Sequence, residues 1–328
     1  MSLTDLIRNP RIKSIITHPE DDTAIWRADL ERFVSGDTTL TRKSAGESGI
    51  RAIQRLLIFL GYSTSSSGAF AIDGDFGRGT NRGVAQFLVE HGLTRSIDRT
   101  ALCYPCQWNT ARSLITSIPD ARLTPATLEK MAGIARQRSE AGQVMTGRFE
   151  DAIFHLNALD KHQYLSCRKI LERYGEMSQA ASRKLETGSG KRVRPEWILA
   201  IIRQETAGII RPRFEQHYLT RLNSQHPAVE LEELRMQSMS MGLGQVMGAN
   251  YKRVGAASAT ELFTAPAERQ VEFVARFLSA REDVVKKNAP SEDDFHKLAR
   301  YYNGPKYAAH HYHEGLARWH REFRMLMG

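Results

Sequence analysis

Apolar residues in this 328-residue chain recur at helical spacing over long stretches, so a mostly α fold is expected. Trp26, Leu30 and Phe33 stand at i, i+4 and i+7, with Val34 beside them. A second apolar-periodic segment runs from about Ile50 to Leu60, and residues 133–190 read as helical throughout. A third stripe, Trp197, Ile198, Ile201 and Ile202, follows Pro195, a residue suited to the first turn of a helix. The length allows two domains with room for a third. Hydrophobic residues at 41% supply a core and exclude general disorder. Three cysteines exclude a disulfide-dense scaffold. No apolar run approaches the roughly 18 residues of a membrane span.

The amino terminus lacks the apolar stretch of a secretory signal, so synthesis in the cytoplasm is expected, with export by other means. The net charge of +9 is spread along the chain, without the basic block that marks a nucleic-acid arm. Such a surface is drawn to polyanions generally, bacterial envelope polymers among them. Cys103 and Cys106 have C-x-x-C spacing but no second pair, and a structural zinc wants four ligands. Two ordinary thiols in a loop are expected.

Residues 1–44 form a helical lead-in with no assignable role. In residues 45–132 the helix ending at Gly61-Tyr62 is followed by Asp73-Gly74-Asp75-Phe76-Gly77 and Thr80. Thr80 is the expected cap of a second helix through Val84 and Phe87. With Gln54 and Leu57, this pattern resembles the small three-helix peptidoglycan-binding domain. The usual second Asp-Gly turn is missing, replaced by a longer stretch reaching Leu123-Thr124-Pro125, where a final helix starts. The resemblance implies cell-wall binding; the alternative is that Asp73-Gly74 is only a turn. A calcium loop is excluded, because the later acidic ligands are absent.

Residues 133–190 are a connector or the start of the last domain. They end in the polar run Glu186 to Lys191, a linker or a loop. In the helix after Pro195, Glu205 lies at 198+7 and 201+4, on the apolar stripe. A carboxylate there is costly unless paired or protonated. Burial raises its pKa, as a general acid requires; the alternative is a head group that escapes to water at the helix end, before Gly208. Further on come the small, uncharged segment Ser238 to Tyr251 and the turn Tyr301-Tyr302-Asn303-Gly304-Pro305, both suited to contact a sugar.

These segments, with Phe214-Glu215-Gln216-His217-Tyr218 between them, resemble the N-acetylmuramidase domain of phage endolysins and related bacterial lysins over roughly residues 190–328. The resemblance implies a lysozyme-like helical catalytic domain at 191–328 joined to the small binding domain. It implies cleavage of the β-1,4 bond between N-acetylmuramic acid and N-acetylglucosamine, with Glu205 as the acid. Glu215 is the candidate second carboxylate, or else a structural partner of His217 or an arginine. Ser240, Gln245, Tyr302 and Asn303 are expected to bind the glycan. Two departures are a short stretch between Glu205 and Phe214, and Gly244 where an aromatic residue or Met often stands. A related pattern occurs in lytic transglycosylases, which form 1,6-anhydromuramic ends with the same first step. A third possibility is a non-catalytic wall-binding protein. No cofactor is implied, and His310, His311 and His313 lack metal-binding helix spacing. The expected partner is the peptidoglycan glycan strand, met by a monomer; a phage endolysin and an injected toxin are equally compatible with the sequence.

Overall fold

The structure, a computed structural model, describes residues 3–35, 46–97, 99–103, 121 and 123–328. Its elements begin with α1 (Leu3–Arg8), α2 (Pro10–Ile16), α3 (Thr23–Ser35), α4 (Glu47–Phe59), α5 (Arg78–Glu90) and α6 (Arg99–Leu102). Then come α7 (Pro125–Glu140), α8 (Phe149–Asp160), α9 (Cys167–Ser189), α10 (Pro195–Thr206), β1 (Arg213–Phe214), α11 (Gln216–Gln225), α12 (Leu231–Gln237), β2 (Met239–Met241) and β3 (Val246–Met247). The last elements are α13 (Ala259–Thr264), α14 (Ala267–Leu278), α15 (Glu282–Val285), α16 (Glu292–Asn303) and α17 (Tyr312–Met327). The fold is mostly α. No described helix is long and apolar enough to cross a membrane.

The chain divides into two compact units, one of residues 1–162 and 212–240, the other of 163–211 and 241–328. Both are discontinuous in sequence, so they do not follow the linear partition at 132/133 and 190/191.

In the first unit, α4 buries Ile53, Leu56 and Leu57 and ends at Gly61, whose φ of 88° suits a left-handed cap. The Asp-Gly turn is locked to this helix. Gln54 Oε1 accepts from the Asp73 and Gly74 amides at 3.0 and 2.9 Å, while Nε2 donates to Asp73 Oδ1 and to the Thr80 hydroxyl. Thr80 is not the cap of α5. Gly77 takes that place, and Thr80 sits in the first turn, donating to the Asp75 carbonyl at 3.1 Å. The motif polar groups are thus engaged in holding the turn. Thr124 caps α7 through the Thr127 amide, as its sequence position suggests.

The lead-in belongs to this core. Ile12 and Ile15 of α2 are buried, and Arg55 of α4 donates to the Ile15 and Thr17 carbonyls at 2.8 and 2.9 Å. The same guanidinium reaches Asp160 of α8 at 2.6 Å, so a buried charge is neutralised while three elements are joined. Trp26 and Leu30 of α3 are also buried; the side chains of Phe33 and Val34 lie outside the described residues. Cys103 is buried, and Cys106 likewise lies outside the described residues.

Segment 212–240 is built into the same unit. β1 and β2 pair antiparallel with Arg213 opposite Ser240, and the Phe214 amide donates to the Gly68 carbonyl at 2.8 Å. A Cβ on Gly68 would meet the Phe214 carbonyl oxygen at 1.8 Å, so this approach requires glycine. Arg235 of α12 bonds both oxygens of Glu90, at 2.7 and 3.0 Å, and the Gly61 carbonyl, while stacking on Tyr62.

In the second unit, α9 packs on α14 and α10, and α10 packs on α17. The polar run after residue 185 is helix rather than linker: α9 continues through Ser189 and ends at Gly190, with φ of 71°. Ser291 and Asp294 form a reciprocal capping box at the start of α16. Tyr312, Leu316, His320 and Phe323 make the buried stripe of α17. His320 packs tilted against Trp197 of α10, ring centres 4.1 Å apart, and burial holds its imidazole down at about 4.

Candidate active site

Pro195 occupies the first turn of α10; Trp197, Ile198, Ile201 and Ile202 are buried, as the periodicity predicts, and Leu199 and Ala200 between them are buried too. The helix ends abruptly after Thr206. Ala207 adopts φ of 47° and Gly208 φ of 76°, two successive left-handed residues that turn the chain sharply. Ala207 pays roughly 1 kcal/mol for this conformation. The Gly208 carbonyl accepts from Tyr174 at 2.9 Å. Glu205 therefore stands in the last helical turn, just before a bend pinned by Tyr174.

Glu205 is half-buried. That burial lifts its pKa to about 7, against a hydrogen bond from Tyr312 that pulls it down. The Tyr312 hydroxyl donates to Glu205 Oε1. Burial first, and the Glu205 charge second, push both the Tyr302 and Tyr312 hydroxyls well above the usual phenol range, so both stay protonated.

The segment after β2 is fastened to the end of α10. Thr206 Oγ1 donates to the Leu243 carbonyl at 3.0 Å, and the Leu243 amide donates to Gln270 Oε1 at 3.1 Å. Gln245 is left-handed at φ of 49°, a position where a non-glycine residue is strained, and its Nε2 contacts the Gly242 carbonyl at 3.2 Å. Tyr302 donates to the Gly244 carbonyl at 2.7 Å. A Cβ at Gly244 would meet Val274 at 2.5 Å and the Tyr302 hydroxyl at 2.8 Å, which explains why no larger residue stands there.

Of the residues singled out from sequence, Glu205, Gln245, Tyr302 and Asn303 belong to the second unit, and Glu215 and Ser240 to the first. Glu205 and Tyr302 are linked through the Thr206–Leu243 and Tyr302–Gly244 bonds. Asn303 is exposed at the end of α16, and Ser240 is half-buried on β2. Glu215 pairs with Arg213 at 2.9 Å and lies 3.7 Å from His217. His313 stacks on His296 rather than joining His310 and His311 in a cluster, and no described residues form a metal-binding group. Sequence reasoning missed Tyr312, Thr206 and Gln270. Tyr312 carried the same signal as Glu205, a polar group on a buried helical stripe.

A family model for N-acetylmuramidase matches residues 145–324, more than half of the chain. Among solved structures the chain is similar to the crystal structure of Burkholderia AP3 phage endolysin, at 16% identity and a TM-score of 0.34, over 84% of this chain and 96% of that one. No curated protein matches it. The match at 145–324 contains the whole constellation around Glu205, and the chain belongs to the N-acetylmuramidase family, glycoside hydrolases that act on peptidoglycan.

Proposed function

We propose that this hydrolase cleaves the β-1,4 bond between N-acetylmuramic acid and N-acetylglucosamine, with Glu205 as general acid. The observation that carries the reading is the half-buried carboxyl of Glu205 at the end of α10, bonded by the Tyr312 hydroxyl and raised by burial to about 7, so that a large share of it holds a proton near neutral pH. In this reading Glu205 gives that proton to the glycosidic oxygen. The bond from the muramic C1 to that oxygen breaks through an oxocarbenium-like transition state, and water completes hydrolysis. Ser240, Gln245, Tyr302 and Asn303 receive the glycan, and Glu215 is the candidate to activate water. The first unit, with its peptidoglycan-binding-like turn, holds the enzyme on the wall.

One observation favours a second reading. Glu215, the candidate second carboxylate, is engaged in an ion pair with Arg213 at 2.9 Å. A single acid suits a lytic transglycosylase, in which the sugar 6-hydroxyl attacks C1 and Glu205 takes its proton back. Mass spectrometry of released muropeptides separates the two: reducing muramic ends for hydrolysis, 1,6-anhydro ends for the transglycosylase. Glu205→Gln abolishes release in either case, and clearing of peptidoglycan by that variant at near wild-type rate would sink both. Activity requires the protonated acid, so it declines as pH rises through about 7.

A further inference from the structure

Beside Glu205 stands a residue with no assigned part in the chemistry. Tyr312 begins α17, a helix brought close to α10 by two features unrelated to Glu205. Trp319 Nε1 donates to Gln204 Oε1 at 3.0 Å, and Gly315 faces Gln204 where a Cβ would lie 2.6 Å from its amide oxygen. The approach places the Tyr312 ring, only 4% exposed, with its hydroxyl on Glu205 Oε1. The position of that hydroxyl is therefore set by helix packing, independently of the carboxyl it meets.

We propose that Tyr312 is a positioning residue for Glu205: by donating to Oε1 it leaves Oε2 as the oxygen that carries and delivers the proton. The inference rests on Glu205 being the acid. In the protonated state Oε1 is the carbonyl oxygen and accepts from Tyr312, so the acidic hydrogen resides on Oε2. When the Oε2–H bond breaks and the proton passes to the glycosidic oxygen, the charge left on the carboxylate is met at once by the same hydroxyl. A hydrogen bond to a charged acceptor is stronger than to a neutral one, so Tyr312 favours the carboxylate over the acid and offsets part of the effect of burial. Tyr312 itself stays neutral throughout, its hydroxyl held well above the phenol range by burial and by Glu205. Among the described residues, the titratable groups coupled to Glu205 are Tyr312 from α17 and Tyr302 from α16.

The test is the pH profile of kcat with purified sacculi. Tyr312→Phe removes the donor and keeps the ring. It should lower kcat about 10- to 100-fold, leave KM nearly unchanged and move the alkaline limb to higher pH. Site-specific fluorotyrosine at position 312, a stronger donor of the same shape, should move that limb to lower pH. Opposite displacements by the two variants cannot come from a loss of packing. An alkaline limb that stays put in both, with kcat within twofold of wild type, overturns the proposal. Should Tyr312→Phe fold poorly, the fluorotyrosine enzyme alone decides, since its unmoved limb is equally fatal. Glu205→Gln measured alongside separates the layers: an active Glu205→Gln enzyme defeats the underlying mechanism, whereas an inactive one with unmoved Tyr312 limbs defeats only the role of Tyr312.

Discussion

At Gly244 a single missing Cβ holds two neighbours in place. The residue is buried, its carbonyl accepts the Tyr302 hydroxyl at 2.7 Å, and Val274 and that hydroxyl occupy the space a side chain would need. The Val274 side chain is itself fully buried, so it has little room to withdraw. Gly244→Ala should therefore lose about 1–3 kcal/mol of stability through overpacking. It should also weaken the Tyr302 bond and lower activity. Urea unfolding and muropeptide release, measured on the same preparation, check both effects. A neutral result would mean that Val274 and Tyr302 yield freely. Where the loss is seen, Val274→Ala should recover part of it in the double variant, because it removes the nearer of the two obstructing groups.

Among the elements, α12 is held in the first unit by its buried Leu231 and Leu234, by Glu232 on Arg138 at 2.8 Å, and by a buried guanidinium. Arg235 and Glu90 are 1% and 2% exposed and meet through two hydrogen bonds, with Tyr62 donating to Glu90 at 2.7 Å. Removing one member leaves the other charged and buried, which typically costs about 3–5 kcal/mol. Arg235→Met and Glu90→Leu are each expected in that range by denaturant unfolding. Combined, they should cost less than their sum, because an apolar pair leaves no stranded charge. Strict additivity would indicate that the two side chains do not act as a pair. The exposed Lys297–Asp293 pair on α16, at 2.6 Å, should by contrast be nearly silent on substitution.

At the level of the whole molecule, the two units alternate along the sequence. Segment 212–240 lies inside the family match at 145–324 but packs with residues 1–162. A fragment of residues 133–328 therefore lacks Glu90, Gly61 and Gly68, the partners of Arg235 and Phe214. It should be poorly folded, with weakened near-ultraviolet dichroism and loss of wall lysis. A soluble, active 133–328 fragment would show that segment 212–240 finds other partners. The full chain should co-sediment with sacculi even as the inactive Glu205→Gln variant, if the first unit is the wall binder; loss of co-sedimentation would leave that unit without the role.

Local pattern was enough for several features. The 3.6-residue periodicity located the helices, Pro195 marked the start of α10, Thr124 the start of α7 and Gly61 the end of α4, because each depends on neighbours within a turn or two of chain. Glu205 was legible for the same reason: a carboxylate on an apolar stripe is a conflict visible in one helix. Thr80 misled because its spacing fitted a cap, while its hydroxyl is taken by Asp75 and Gln54 across the turn. The run after residue 185 misled because its glycines and serine are weak helix formers, and packing of α9 on α14 overrides that preference. Tyr312 lies 107 residues from Glu205, and Arg235 lies 145 from Glu90. Partnerships at such separation leave no periodic trace. They arise when helices bury their apolar stripes against one another, and the cost of burying a polar group then selects which hydroxyl or carboxylate it must meet.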